Sequence, residues 1–274
     1  MLEKAVNFNV DFVVADLEDS VPPAEKSSAR DTVAEMAPVL KKNGQHVIVR
    51  INALDTGLAS EDIDAVVSES IEMISVGKIN SEKDVQEYDA LLGKAEKRAN
   101  LTEGSLKLVL WLESAPAVQR AYEIASSSAR IAAVTFGGED YTKDVGIQRT
   151  AGAEELRFPR AMIALAANAA GVIPLDTPYV NFRDSEGLEK DIQSVVQLGF
   201  KGKFAIHPAQ VEIIKRGFGP SQHEIDRARE IIAGWDVASA EGRGSFDLDG
   251  EMVDVPVVER ARALLEEAKA MDLS

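Results

Sequence analysis

The chain has 274 residues, of which 45% are apolar, and 46 acidic residues against 30 lysines and arginines give it a net charge of −16. This charge argues against nucleic acid or an anionic membrane as the main partner, and no apolar run of about 18 residues is present to span a bilayer. Cysteine is absent, which excludes disulfides, thiolate metal sites and cysteine nucleophiles. With no signal-peptide pattern at its start, the sequence predicts a cytoplasmic protein.

Short apolar runs that end in polar residues alternate with helical segments along most of the chain. The predicted strands are Phe12–Asp16, His46–Asn52, Ile71–Val76, Leu106–Leu112, Ile131–Phe136, Val172–Leu175 and Phe204–Ile206. The predicted helices between them cover residues 22–43, 58–70 with Ser60 as N-cap, 81–98, 117–126, 154–170 and 186–198. Strict alternation predicts parallel strands with right-handed crossovers, and therefore a (β/α)8 TIM barrel with its site at the carboxyl ends of the strands.

Only seven strands are predicted, and the first of them follows a helix-like stub at residues 1–9. The eighth strand is therefore expected before residue 1. Residues 1–219 are predicted to form the barrel domain, and residues 220–274 a C-terminal extension. The extension reads as a helix over 222–235, a glycine- and acid-rich hairpin-like segment, and a last helix over 257–271. We expect the middle segment to act as a mobile lid.

Two carboxylates follow successive predicted strands and are the first candidates for chemistry. Glu113 follows the strand at 106–112, and Asp140 follows the next strand after the pair Gly137-Gly138. Hard cations such as Mg²⁺ bind oxygen ligands, often one or two carboxylates completed by water and substrate. The spacing predicts a divalent metal site, with Glu139 as the alternative to Asp140 and solvated surface acids as the alternative to a site.

Arg50 ends a predicted strand and can grip a carboxylate or a carbonyl through two N–H groups. An ion pair with Asp16, Glu18 or Asp19, from the neighbouring strand end, is an equally good interpretation. These three acids could hold metal-bound waters, or one of them could cap the helix that follows.

The remaining candidates are weaker. His207 is the histidine predicted to reach the carboxyl ends of the strands, and no histidine spacing typical of zinc is present. Lys78 could form a Schiff base, although a solvated or ion-paired lysine is favoured. Gly137 and Gly138 allow a ligand to approach the backbone closely, and their N–H groups could hold an oxyanion, but simple turn geometry also explains them.

Taken in order, six segments resemble the citrate lyase β-subunit family of CoA-ester lyases, which includes malyl-CoA and citramalyl-CoA lyases. The segments are DLEDSVPPAEKSSAR, VRIN, WLESAPAV, FGGEDYTKDVG, LDTPY and GFKGKFAIHPAQVEII. The resemblance covers nearly the whole chain. It implies a (β/α)8 barrel that binds Mg²⁺, assembles as a homotrimer or hexamer, and reversibly cleaves a 3-hydroxyacyl thioester into an acetyl thioester and a 2-oxo acid.

The resemblance also implies roles for individual residues. Glu113 and Asp140 match the family's metal ligands, and Arg50 matches its substrate-binding arginine. Glu18 and Asp19 match the acids that support the metal-bound waters. Asp254, in GEMVDVP, matches an aspartate that reaches a neighbouring subunit's site and carries a proton to or from the acetyl methyl group. Glu113, Gly137 and Gly138 are expected to line the substrate.

The sequence departs from the family pattern at two places: the family's first strand, with its LFVPG-like end, is absent, and Gly77-Lys78 replaces the usual Pro-Lys. Two alternatives to a CoA-ester lyase stay open. One is a metal-dependent aldolase acting on free 2-oxo acids, and the other is a barrel subunit that binds a thioester without turnover. The sequence does not choose among citryl, malyl, citramalyl and methylmalyl thioesters, nor between CoA and an acyl-carrier protein.

Overall fold

The computed structural model describes residues 2–150 and 152–271, and within them a parallel sheet of seven strands, β1 to β7 in chain order, forms the centre. The strands are β1 (Phe12–Asp16), β2 (His46–Ile51), β3 (Met73–Val76), β4 (Lys107–Leu112), β5 (Ile131–Phe136), β6 (Ile173–Asp176) and β7 (Gly202–Lys203). The sheet curls into a half-barrel. Every pair of consecutive strands is parallel, as the alternation of strand and helix predicts.

Helices connect the strands and cover the outer face of the sheet. They are α1 (Leu2–Ala5), α2 (Lys26–Lys42), α3 (Ala59–Val66), α4 (Glu82–Arg98), α5 (Ala115–Gln119), α6 (Ala121–Ala125), α7 (Gly138–Asp144), α8 (Glu154–Ala170), α9 (Ser185–Gln197), α10 (Val211–Phe218), α11 (Gln222–Ala240) and α12 (Val255–Ala270). A separate antiparallel hairpin of β8 (Phe246–Leu248) and β9 (Glu251–Val253) lies between α11 and α12. None of the helices in the described ranges is long and apolar enough to cross a bilayer.

Side chains alternate between the two faces of the sheet, because successive residues of a strand point to opposite sides. In β4, Leu108, Leu110 and Leu112 belong to the large core between sheet and helices. Val109 instead packs on the concave face with Ile48 and Ala133. This period of two decides which residues reach the concave face near the carboxyl ends of the strands.

The predicted bounds of the last strand of the sheet are wrong. Residues Gly202–Lys203 pair with β6, rather than the predicted Phe204–Ile206. The Lys203 side chain is fully buried, and its ammonium donates to Asp176, Asp191 and the carbonyl of Thr177. A lysine in the sequence indicates the end of a buried strand, so the predicted start of β7 lies two residues after the observed one. β6 likewise begins one residue later than predicted.

Several helices differ from prediction at their ends. Ser60 is not the N-cap of α3, which begins at Ala59, and the Thr56 hydroxyl accepts the Leu58 N–H just before it. The predicted helix over 117–126 is two short helices, α5 and α6. Neither α7 nor α10 is predicted, because the glycine pair before α7 and the His-Pro pair before α10 read as turns. α11 runs five residues beyond its predicted end, and α12 begins two residues earlier.

Candidate active site

The site follows from the alternation of side chains on the concave face. Asp16 and Arg50 face each other on neighbouring strands, and Arg50 faces Ser75 on the next strand. The Trp111 side chain contacts both Arg50 and Ser75. Two residues further along their strands, the same face carries Glu18, Gly77, Glu113 and Gly137. Glu18 follows β1 and Glu113 follows β4, so the two glutamates lie at the same level of the sheet. The strands on either side of β4 are followed at this level by Gly77 and Gly137.

The flanking glycines make room for the Glu113 carboxylate. A β-carbon at Gly137 would lie 2.5 Å from Cγ of Glu113, and one at Gly77 would lie 3.7 Å from its Oε1 and 3.5 Å from Oε1 of Glu18. Glu113 is only 9% exposed. Burial, and then the negative charges of Asp140 and Glu18, raise its pKa to about 8. Among the described residues no hydrogen bond to this carboxylate contributes to its pKa, and the more distant charge of Arg50 only partly offsets the rise.

Asp140 lies in the first turn of α7 and lines a cleft of about 600 Å³ together with Glu113. Its neighbour Glu139 points away, because its carboxylate accepts a 2.6 Å hydrogen bond from Arg149. Of the two acids that the sequence offers after the glycine pair, the geometry therefore brings Asp140 to Glu113. The N-terminus of α7 adds positive dipole potential at this position.

Arg50 forms an ion pair with Asp16, which is one of the two roles that the sequence predicts for it. Its Nε and Nη2 donate to the two carboxylate oxygens of Asp16 at 2.7 and 2.5 Å, and its Nη1 lies 3.2 Å from Glu18. Burial would raise the pKa of Asp16, but the hydrogen bonds and charge of Arg50 hold it below its ordinary value. The guanidinium also lies 5.9 Å from the ring centre of Trp111, whose indole N–H donates to Ser75.

Glu18 is buried, whereas Asp19 is exposed at the start of the loop that follows. Burial raises the pKa of Glu18 even though Arg50 and Lys78 lie beside it. Lys26, at the beginning of α2, donates to the backbone carbonyls of Leu17 and Glu18 at 2.7 and 2.8 Å and so fixes the position of this loop. Lys26 could not be singled out from the sequence, because its partners are backbone atoms.

Three further polar residues that end or follow predicted strands or lie in the extension are placed outside this cleft. Asn52 donates from its backbone N–H and from its side-chain amide to the buried carboxylate of Asp62. His207 is exposed and accepts the Ala209 N–H at 3.1 Å at the start of a short 3-10 turn. Asp254 is the N-cap of α12 and is not among the described residues that line the cleft.

These residues can hold a hard cation. No group of three or more histidines or acids in residues 2–150 and 152–271 is arranged as a complete metal cage. Glu113 and Asp140 nevertheless bring two carboxylates to the same cleft, and Mg²⁺ commonly takes one or two carboxylates with water and substrate in the other positions. The fold and site together define an α/β enzyme with a carboxylate centre at the carboxyl ends of parallel strands.

Comparison with known proteins gives the family. Residues 1–208 match the HpcH/HpaI aldolase/citrate lyase family. The citrate lyase subunit beta of Leuconostoc mesenteroides subsp. cremoris is 37% identical over 273 residues, which are 100% of this chain and 90% of that protein. An L-malyl-CoA/beta-methylmalyl-CoA lyase of Cereibacter sphaeroides is 31% identical, with 98% and 91% covered. The chain belongs to the HpcH/HpaI aldolase/citrate lyase family, and it is a lyase of that family.

Solved structures agree with this assignment. The CitE protein of Mycobacterium tuberculosis, in complex with magnesium, acetoacetate and coenzyme A, has a TM-score of 0.76 at 27% identity and covers 98% of this chain, with 94% of its own length matched. A citrate lyase from Burkholderia xenovorans LB400 has a TM-score of 0.85 at 22% identity, with 96% of this chain and 85% of that one covered. The second likeness supports the fold alone.

Proposed function

We propose that this chain is a Mg²⁺-dependent lyase that reversibly cleaves a 3-hydroxyacyl-CoA into an acyl-CoA, such as acetyl-CoA, and a 2-oxo acid. The observation that carries the proposal is the buried Glu113, which faces Asp140 and Glu18 with no protein cation bound to its own carboxylate. The relatives are named for citrate and malyl-CoA cleavage, and the CitE structure holds magnesium with coenzyme A. These names support the class of reaction.

The residues present fit a magnesium ion. Glu113 and Asp140 are the proposed ligands, and Glu18 and Asp19 would accept hydrogen bonds from water around the ion. Burying several carboxylates together is costly unless a positive charge offsets them, and a dication would do so. When bound, Mg²⁺ would supply Lewis acidity to the oxygen atoms of the substrate.

The chain's own residues have defined tasks in this reaction. The bond between the α-carbon of the thioester and the carbon that bears the hydroxyl breaks, the hydroxyl proton passes to water, and the carbon that bore the hydroxyl becomes the ketone of the 2-oxo acid. The electron pair passes to the α-carbon and is shared with the thioester oxygen, where Arg50 offsets the charge. Gly137 and Gly138 do not fit the substrate-binding role that the sequence suggested, because their N–H groups donate to the Leu112 carbonyl at 3.1 Å and the Thr177 hydroxyl at 3.4 Å.

A proton must then reach the α-carbon, and we assign this task to Asp254 of a second copy of the chain. Asp254 directly follows the exposed β8–β9 hairpin, whose Met252 is 71% exposed. In this proposal residues 1–219 form the barrel domain, with β1 and β7 at the two edges of its curled sheet, and residues 220–274 form the extension that covers a neighbour's site. The assembly is then a homotrimer or a hexamer.

The test is a panel of citryl-, malyl-, citramalyl- and methylmalyl-CoA, each incubated with and without Mg²⁺, with detection of the released 2-oxo acid. We expect Mg²⁺-dependent release from at least one of them. Cleavage of free 4-hydroxy-2-oxo acids but of no thioester would instead identify an aldolase. Thioester binding without product would identify a non-catalytic subunit. Asp254→Asn should slow exchange of the acetyl-CoA methyl protons with D₂O, and unchanged exchange would remove Asp254 from the reaction.

A further inference from the structure

Lys78 has a backbone conformation that is unusual for a residue with a side chain. Its φ is +57°, in the left-handed region, two residues after the end of β3. The loop around it holds this conformation. Asn80 donates from its side chain to the Lys78 carbonyl at 3.1 Å, and Asp84 accepts the N–H groups of Asn80 and Ser81 at 2.8 Å each. Strain of this kind persists where the surrounding structure fixes it, which is commonly at functional sites.

This conformation brings the Lys78 side chain to the cleft that Glu113 and Asp140 line. The side chain is 42% exposed, and its Nζ lies 3.7 Å from Oε1 of Glu18. That separation is longer than the ~2.7–2.9 Å of a charge-assisted hydrogen bond, so the pair is loose. Arg50, by contrast, is bound to both oxygens of Asp16 at 2.7 and 2.5 Å. Lys78 therefore supplies a positive charge at the cleft that can still turn to a ligand.

The charges around Lys78 determine the protonation state of its amine. Partial burial would lower the pKa of its ammonium, but the negative charges of Glu18, Asp19, Asp55 and Asp140 raise that pKa above the ordinary value. Lys78 is therefore a protonated cation at neutral pH. A Schiff base needs the neutral amine, so the surroundings favour charge recognition over covalent chemistry.

We propose that Lys78 binds the carboxylate of the 2-oxo acid half of the substrate through its ammonium group. The proposal rests on the proposed function, which supplies such a carboxylate beside Glu113 and Asp140. A dication at those two residues would also offset the charge of Glu18, and the loose pair between Lys78 and Glu18 would then give way to the ligand. Lys78 thereby becomes a specificity residue for acids over the corresponding uncharged ketones.

Lys78→Gly and Lys78→Met test this assignment, with Mg²⁺ and oxaloacetate as the titrated probes in calorimetry on the full chain. We expect both variants to bind oxaloacetate at least about tenfold more weakly at saturating Mg²⁺. Mg²⁺ affinity should stay equal or rise, because a nearby positive charge has been removed. Lys78→Gly should also raise the melting temperature, since glycine adopts the left-handed conformation without cost, while Lys78→Met should not.

Two controls separate the effects. Lys143→Met removes another lysine that lines the cleft, and Asn100→Gly relieves a left-handed residue elsewhere (φ +56°). Both should leave oxaloacetate affinity within about threefold of the unmodified protein. Unchanged oxaloacetate affinity in both Lys78 variants would overturn the proposal while leaving the proposed function intact. So would a parallel loss of Mg²⁺ affinity, which indicates collapse of the site. If the unmodified protein binds neither probe, the proposed function itself fails.

Discussion

The side chain of Glu113 packs directly against the backbone of Gly137, on the neighbouring strand. A β-carbon there would lie 2.5 Å from Cγ and 3.0 Å from Cδ of Glu113. The position of the carboxylate therefore depends on the absence of an atom from the next strand. Since the two residues lie at the ends of hydrogen-bonded strands, neither can move aside without disturbing the sheet.

We expect Gly137→Ala to displace Glu113 and to lower Mg²⁺ affinity by at least about tenfold, because the added methyl group overlaps its side chain. The measurement is calorimetric titration with Mg²⁺. Gly93→Ala is the matched control. It lies within α4, and its β-carbon would meet atoms no closer than 3.8 Å, so the helix should gain stability without any change in metal binding. Equal Mg²⁺ affinity in both variants would contradict the role of Gly137.

The adjacent acids of α7 offer a second matched pair. Asp140→Asn should abolish measurable Mg²⁺ binding and thioester cleavage, because the amide removes both a charge and a ligand oxygen. Glu139→Gln, one residue earlier, should reduce neither by more than about threefold, since that side chain is 61% exposed and held by Arg149. Loss of binding in the Glu139 variant, with retention in the Asp140 variant, would reverse the assignment.

The raised pKa of Glu113 gives a pH dependence with a defined sign. Its pKa rises from 4.5 to about 8 on folding, so the metal-free protein should lose stability as pH increases between those values. Mg²⁺ binding must expel the proton, so its affinity should increase up to about tenfold per pH unit and level off above about pH 8. Melting temperatures in EDTA, and Mg²⁺ titrations at stepped pH, measure both effects. Glu113→Gln should flatten the stability curve, and an unchanged slope would contradict the prediction.

The buried charges near the end of the sheet predict a large effect on stability. Arg160 and Lys203 are both bound to Asp176 and Asp191, and all four side chains are at most 9% exposed. Lys203→Met leaves two buried acids with a single cation, which should cost about 3–5 kcal/mol of unfolding free energy. Denaturant titration measures this loss. Arg216→Ala breaks an exposed pair with Glu189 and should cost less than about 1 kcal/mol, and equal losses would contradict the argument.

Much of the fold is readable from the sequence because parallel strands buried on both faces form continuous apolar runs. β1 and β5 match their predicted bounds, and α4 begins at Glu82, one residue after its predicted start, with Ser81 as its N-cap. The bounds of β7 could not be predicted, because the charge of Lys203 is neutralised by two acids that are distant in sequence. Burial of a charged residue depends on such tertiary partners, which no local pattern reveals.

The site shows the same division. Glu113 and Asp140 could be placed at one edge of the sheet because both follow predicted parallel strands. The choice between Asp140 and Glu139 depends on Arg149, ten residues further along the chain from Glu139. The glycines that make room for Glu113 come from two different strands, and the left-handed backbone of Lys78 has no signature in residue type. These features depend on strand register and loop geometry, which the sequence alone does not determine.

One hydrogen bond links the two chain segments that carry the proposed metal ligands. Asp144, the last residue of α7, accepts the N–H of Ala115 at 2.8 Å, and Ala115 lies two residues after Glu113. The segments that carry Glu113 and Asp140 are thus joined by a protein contact that does not depend on the ion they would share. The site should open and close as one unit, and the exchange rate of a single amide hydrogen, that of Ala115, should report its opening.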